Sequence, residues 1–186
     1  MKCRADQLGL TIVSNGELRY QFGSDRHGEG FGVYNYDMTE RYYLSRVIEM
    51  KDKIKSVNFV MLNPSTANAS KLDPTVTRCA EYSKKWGYEK MVVTNLFPII
   101  STDPEKLKKE SGDTATNNEV ILEIAKSCDL VVCAWGQIGV SKEQGMQIYK
   151  DLCDQSIPLY ALEIAKNGEP KHPLYLKGDL KPIRVY

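Results

Sequence analysis

A chain of 186 residues, 42% of them hydrophobic, can bury one good core, whereas two full domains would each be marginal, so residues 1–186 are expected to form a single domain. Twenty-five basic residues against 24 acidic ones leave a formal charge of +1, which excludes a strong overall field toward nucleic acid or an anionic membrane and makes any polyanion contact local. The longest apolar runs, such as Leu130 to Trp135, fall far short of the roughly 20 residues that cross a bilayer, and the N-terminus carries no signal-peptide core, so a cytoplasmic protein with no membrane partner is expected.

In chain order, residues 1–38 are rich in Gly, Tyr and turn formers, with β-like pieces at Leu10 to Val13 and Glu17 to Phe22, and read as an N-terminal hairpin or cap on a core of residues 39–186. Asn58 to Leu62 is a short apolar run closed by Asn63-Pro64 and Ser65-Thr66, with an amphipathic helix expected over Pro74 to Trp86. Lys90 to Asn95 is a second strand, and a short helix is expected at Pro104 to Lys109. Asn117 to Ser127 has helical spacing through Val120, Ile121, Ile124 and Ala125, and leads into the continuous apolar strand Leu130 to Ala134, closed by Trp135-Gly136. A helix at Lys142 to Gln155 and a strand at Ile157 to Leu162 precede a polar loop and His172-Pro173-Leu174-Tyr175, and no internal repeat occurs.

Apolar strands alternating with helices predict an α/β fold, a mainly parallel central sheet with helices on both faces in three layers, the strands ending at Leu62, Thr94, Ala134 and Leu162 being neighbours. Ligands of such sheets sit beyond the carboxyl ends of the strands. The polar residues there are Asn63, Pro64, Ser65 and Thr66, then Asn95, then Trp135, Gly136 and Gln137, with Lys171, His172 and Pro173 later. Amides, hydroxyls, an imidazole and an indole suit a planar, hydrogen-bonding ligand. Five cysteines (Cys3, Cys79, Cys128, Cys133, Cys153) without a C-x-x-C pair read as reduced thiols, and two isolated histidines imply no metal or other cofactor.

Two family resemblances rest on these residues. Asn63-Pro64-Ser65-Thr66-Ala67, Asp73-Pro74-Thr75 with Arg78, Asn95-Leu96-Phe97, Thr102-Asp103-Pro104, Ala134-Trp135-Gly136 and His172-Pro173-Leu174-Tyr175 resemble, over about residues 40 to 176, a bacterial and phage family, domain of unknown function 1643. More remotely, the order Asn63-Pro64, Asn95, Trp135-Gly136, His172-Pro173-Leu174 is similar to that of the strand-end motifs of the uracil-DNA glycosylase superfamily. That second resemblance implies a nucleobase, nucleoside or nucleotide ligand, a single-stranded nucleic acid end being another form of it, and hydrolysis of an N-glycosidic bond. His172 would donate to a base oxygen as negative charge moves onto the departing base. Asn95 would read a base edge with its adjacent donor and acceptor, and Asn63 would position a water, with Asp73 as a carboxylate partner. Ser65 stands where glycosylases often carry Gly or Tyr, and Met61 where a Gly commonly precedes the Asn-Pro element.

Plainer readings of the same residues stay open. Asn63-Pro64 also fits a strand-ending turn, Asn95 a loop bonded to its own backbone, Trp135 a core aromatic and His172 a surface residue made extended by the following proline. Asp73 before Pro74 has the pattern of a helix N-cap. Arg78, one turn into that helix, fits a phosphate clamp or a surface ion pair, and His27 lies in a Gly-rich loop with no role expected. Three functions remain: an N-glycosidic hydrolase, a non-catalytic module that sequesters a nucleotide or modified base, and a protein-interaction domain whose cleft is unused.

Overall fold

The computed structural model describes residues 17–137, 139 and 141–186; the piece expected at Leu10 to Val13 lies outside them. Strands β1 (Leu18–Asp25), β2 (Gly28–Asn35) and β3 (Arg41–Val47) are followed by β4 (Ser56–Met61), helix α1 (Pro74–Lys85) and β5 (Lys90–Asn95). A 3-10 turn (Pro104–Lys108), α2 (Thr114–Ser127), β6 (Leu130–Cys133), α3 (Ser141–Asp154), β7 (Leu159–Ala161), a second 3-10 turn (Pro173–Tyr175) and β8 (Ile183–Arg184) complete the order.

All eight strands join one sheet in the order β1-β2-β3-β5-β4-β6-β7-β8. The expected mainly parallel, helix-covered three-layer sheet is corrected here. Four pairings are antiparallel (β1–β2, β2–β3, β3–β5 and β7–β8) against three parallel ones (β4–β5, β4–β6 and β6–β7), so the sheet is mixed, and the described residues form three α-helices against eight strands. The apolar runs ending near Leu62, Thr94, Ala134 and Leu162 do become adjacent parallel strands, but they make up half of the sheet. The other half is β1 and β2, from the Gly- and Tyr-rich N-terminal stretch, together with β3 and β8. Its hairpin does not cap the core; it extends the sheet, because β3 pairs with β2 on one side and with β5 on the other.

Strand β3 was hidden by its arginines. Six of its seven residues are buried, Arg41 and Arg46 among them. Both guanidiniums donate to carbonyls of the segment after β4: Arg41 Nη1 to Ala67, Arg46 Nη1 to Ala69 at 2.8 Å and Nη2 to Asn68 at 3.3 Å. Arg46 Nη1 also reaches Gly28 O at 3.1 Å, and Nη2 lies 3.5 Å from Asp25. Two buried cations thus hold the connection from β4 to α1 against the antiparallel half, satisfying carbonyls that burial would otherwise leave bare.

Helix α1 begins as the sequence reads. Asp73 Oδ1 accepts the Val76 amide at 2.8 Å, Pro74 opens the first turn, and Lys84 and Lys85 sit where the helix dipole favours cations. Its Val76, Cys79, Ala80 and Tyr82 pack on Val57, Phe59, Met61, Met91 and Val93 of β4 and β5. Trp86, just past the helix, stacks on Tyr82 (5.3 Å) and Phe59 (5.9 Å) and donates to Leu180 O at 2.9 Å. Val60, Val131, Cys133 and Leu159 pack instead with Ile121 of α2 and Ile148 and Leu152 of α3. Helix α2 starts three residues before the expected Asn117, because Asp113 caps it by accepting the Thr116 amide at 3.0 Å. Among the described residues no helix is long and apolar enough to cross a membrane.

Candidate functional site

Beyond the carboxyl ends of β4, β5 and β6 lies an open cleft of about 510 Å³. It gathers Asn63, Ser65, Asp73, Asn95, Trp135, Gly136 and His172 although more than a hundred positions separate the first from the last; Gln137 and Lys171 also line it. Pro64, Thr66 and Arg78 do not. Pro64 is buried and Thr66 exposed. Arg78 spends its guanidinium on Leu176 O at 3.2 Å and on an ion pair with Glu81 at 3.5 Å, so the surface-pair reading describes its contacts. His27 sits in the β1–β2 turn, where its amide donates to Asp25.

Asn63 does two things at once. Its Nδ2 donates to Pro64 O (2.9 Å), Ser101 O (2.9 Å) and Ile99 O (3.3 Å), stitching the exit of β4 to the 99–101 loop. Three acceptors around one end of the amide fix which end is nitrogen. No hydrogen bond from the described residues reaches Oδ1, which remains an acceptor on a residue of the cleft wall.

Asn95 differs. It is 1% exposed, and both Nδ2 and Oδ1 are buried with no partner among the described residues. Its main chain is held from behind by Asn117 of α2, whose Nδ2 donates to Asn95 O at 2.8 Å and Leu96 O at 3.2 Å. The loop-bonded alternative for the Asn95 side chain therefore does not describe it.

His172 precedes the 3-10 turn, and the Leu174 amide approaches its Nδ1 at 3.4 Å, so the neutral ring carries its proton on Nε2. Burial lowers its pKa below the ordinary value, the Asp73 carboxylate opposing that shift only in part. Asp73 commits Oδ1 to capping α1, while no hydrogen bond from the described residues reaches its Oδ2.

Trp135 is 4% exposed and forms a partition. One side bounds this cleft; the other bounds a second, more apolar one of about 420 Å³ shared with Gly145, Met146 and Tyr149 of α3. A Cβ on Gly145 would stand 3.0 Å from Trp135 Nε1, so the helix can approach the indole this closely only at a glycine. Gly136 has φ +86°, a conformation that side chains other than Gly rarely adopt, and a Cβ there would come within 3.2 Å of His172 Cβ. Gly136→Ala is expected to destabilise the fold by about 1–2 kcal/mol and to displace His172. Urea denaturation beside the His172 ring NMR signals checks both, and an unshifted ring with unchanged stability would contradict the close packing.

Two residues of this region were not singled out in the sequence. Arg41, buried, lines the cleft at the start of β3, and Asn117 supports Asn95 from the second layer. An Arg opening the apolar run Arg-Tyr-Tyr-Leu was the available signal for the first; for the second, an Asn on the buried face of an otherwise aliphatic helix. Among the described residues no group of three or more His, Cys, Asp or Glu could hold a metal ion.

No functionally curated protein matches the chain. Among solved structures it is similar to a Bacteroides fragilis protein provisionally described as an acetyl xylan esterase, at 14% identity and a TM-score of 0.49, over 92% of this chain. The chain spans 58% of that protein. Residues 41–174, from the start of β3 to the second 3-10 turn, match the family described as protein of unknown function (DUF1643). That stretch contains every residue of the cleft wall named above, and the chain belongs to this family.

Proposed function

We propose that the cleft binds a nucleobase, carried on a nucleoside or nucleotide, and that Asn95 reads its edge. The observation that carries this is the Asn95 carboxamide: a donor and an acceptor, side by side, buried on a residue of the cleft wall and bonded to none of the described residues. Buried polar groups are rarely left unpaired, since each costs about 1–3 kcal/mol. A planar ligand presenting the complementary acceptor and donor removes that cost on binding. Trp135 supplies an apolar, aromatic wall and His172 a further N–H donor.

The orphaned amide makes the test unusual. Asn95→Leu is expected to leave the free protein as stable or more stable, because it replaces unsatisfied polar atoms by apolar ones, while a base-bearing ligand loses about 1–3 kcal/mol of binding. Chemical denaturation, with calorimetry against the four common nucleosides, reads the two effects. A variant that binds as well as the parent would remove Asn95 from the site.

A second reading, hydrolysis of the N-glycosidic bond, draws on the neutral His172 and the free Asp73 oxygen. In it Asn63 Oδ1 holds a water, and Asp73 Oδ2 takes its proton as the water oxygen bonds to C1′. The C1′–N bond breaks with its electron pair on the base, whose negative oxygen is met by His172 Nε2–H. The resemblance to uracil-DNA glycosylases supports this through motif order and chemistry, not through the sheet, which is mixed. Asn63→Ala separates the readings: turnover falls with binding nearly intact if Asn63 acts on the attacking water, and affinity falls if it contacts the ligand alone.

A further inference from the structure

We propose that Arg41 is an oxyanion subsite of this cleft, so that the physiological ligand is a free nucleoside phosphate rather than a nucleoside or free base. The inference rests on the proposed function and adds to it the charged part of the ligand.

Arg41 is 1% exposed and lines the cleft. Its bonds within the protein account for only part of the guanidinium. Nη1 donates to Ala67 O, the Tyr34 hydroxyl lies close enough to favour the cation, and Nε is buried with no partner among the described residues. No ion pair reaches it from any described carboxylate, in contrast to Arg46, which has Asp25. Asp73 lies close enough to favour the cation, but neither of its oxygens comes within ion-pair distance of the guanidinium. Burial outweighs the help of Tyr34 and Asp73 and pulls the Arg41 pKa below its ordinary value. Buried charges are ordinarily paired, and a guanidinium cannot escape by losing its proton near neutral pH. A desolvated cation with a buried, unpartnered N–H, on a residue that lines an open cleft, is therefore matched by an anion from outside.

Position and charge identify that anion. The Arg41 amide donates to Pro98 O at 2.8 Å, which sets Arg41 beside the segment leaving β5 just after Asn95. A phosphate held there belongs to the same ligand whose base meets Asn95. Ser65 and Thr75 bring hydroxyl groups to the same wall. The other cation of the described cleft lining, Lys171, is held by Glu163 at 2.7 Å, which leaves Arg41 as the lining cation without a carboxylate partner among the described residues, whereas a polymer backbone calls for several. A mononucleotide fits this charge distribution better than a nucleic acid strand.

Calorimetry on the full chain tests the subsite with the four common nucleosides, their 5′-monophosphates, inorganic phosphate and a tetranucleotide. The expected result is that at least one monophosphate binds tenfold or more tightly than its nucleoside, that inorganic phosphate competes with it, and that the advantage shrinks as salt is raised. In Arg41→Gln the monophosphate is expected to lose its advantage over the nucleoside, the ratio of the two affinities falling to about one. The wild-type ratio and its salt dependence need no variant, so they decide the matter if Arg41→Gln does not fold. Nucleosides and monophosphates binding equally would overturn the subsite while leaving the base reading standing. Inorganic phosphate binding alone, with no nucleoside or nucleotide bound, would keep the subsite and overturn the base reading. A tetranucleotide binding more than tenfold tighter than any monophosphate would overturn the free-nucleotide form, and absence of all binding would overturn both.

Discussion

Arg46→Ala is expected to cost about 3–5 kcal/mol of stability, the range found when one partner of a buried ion pair is removed. The side chain is 0% exposed and reaches the carbonyls of Gly28, Asn68 and Ala69 as well as Asp25. Truncation leaves those three carbonyls without this donor and takes the cation from the mostly buried Asp25 carboxylate, which keeps the His27 amide. It also severs the tie between the β1–β2 turn and the segment that leads from Asn63 to Asp73. Asp25 keeps 20% exposure, which puts the expected loss toward the lower end of the range. Urea denaturation with linear extrapolation measures it. Arg46→Met serves as the companion variant, since it keeps most of the volume and loses every N–H. A loss below about 1 kcal/mol in Arg46→Ala would mean that water replaces the guanidinium without penalty.

If the cleft hydrolyses an N-glycosidic bond, His172→Ala should lower turnover by roughly 100 to 1,000-fold, the usual cost of deleting one donor to developing negative charge, with ground-state affinity much less affected. The pH behaviour follows from burial. His172 is driven below its ordinary pKa of 6.5 in the folded protein, so above 6.5 it is neutral in both folded and unfolded chains. As pH falls from 6.5 toward the lower folded value, the unfolded chain takes up the proton first and the folded state loses stability. Below the folded value no more is lost. His172→Ala should flatten this slope in denaturation midpoints measured between pH 7.5 and 5. A base-release assay that detects no difference between His172→Ala and the parent would dismiss the catalytic role, whereas an unaltered pH slope would dismiss the buried neutral ring.

Much of the parallel half was legible, for a physical reason. Runs such as Val131, Val132 and Cys133 are buried on both faces, and near-continuous apolar strands declare themselves without alternation. Helix α1 was marked by Asp73-Pro74, and the strand from Lys90 to Asn95 was bounded correctly by its polar ends. The antiparallel half was not legible. In β1 only partly buried and exposed residues occur, so its hydrophobic signal is faint, and β3 has an Arg near each end of a buried strand. What makes Arg41 and Arg46 fit is the set of carbonyls at Ala67, Asn68 and Ala69, more than 20 positions away, and no local pattern encodes them. Missing β3 also hid Arg41 from the site. Because β3 runs antiparallel to β5, its first residue, not its last, arrives at the carboxyl ends where the cleft opens.

The partition formed by Trp135 gives the protein an optical readout. The chain has two tryptophans. Trp86 is stacked between Tyr82 and Phe59 with its indole N–H held by Leu180 O, so its surroundings are fixed by the core. Trp135 instead borders both clefts, with the small Gly145 of α3 close against its indole. Its emission therefore depends on what fills the space on either side, while Trp86 supplies a constant background. Trp86→Phe would leave a single tryptophan, at the wall of the site, and quenching of its selectively excited emission by a stacked aromatic ligand could then be followed at micromolar protein without a label, giving association rates as well as affinities.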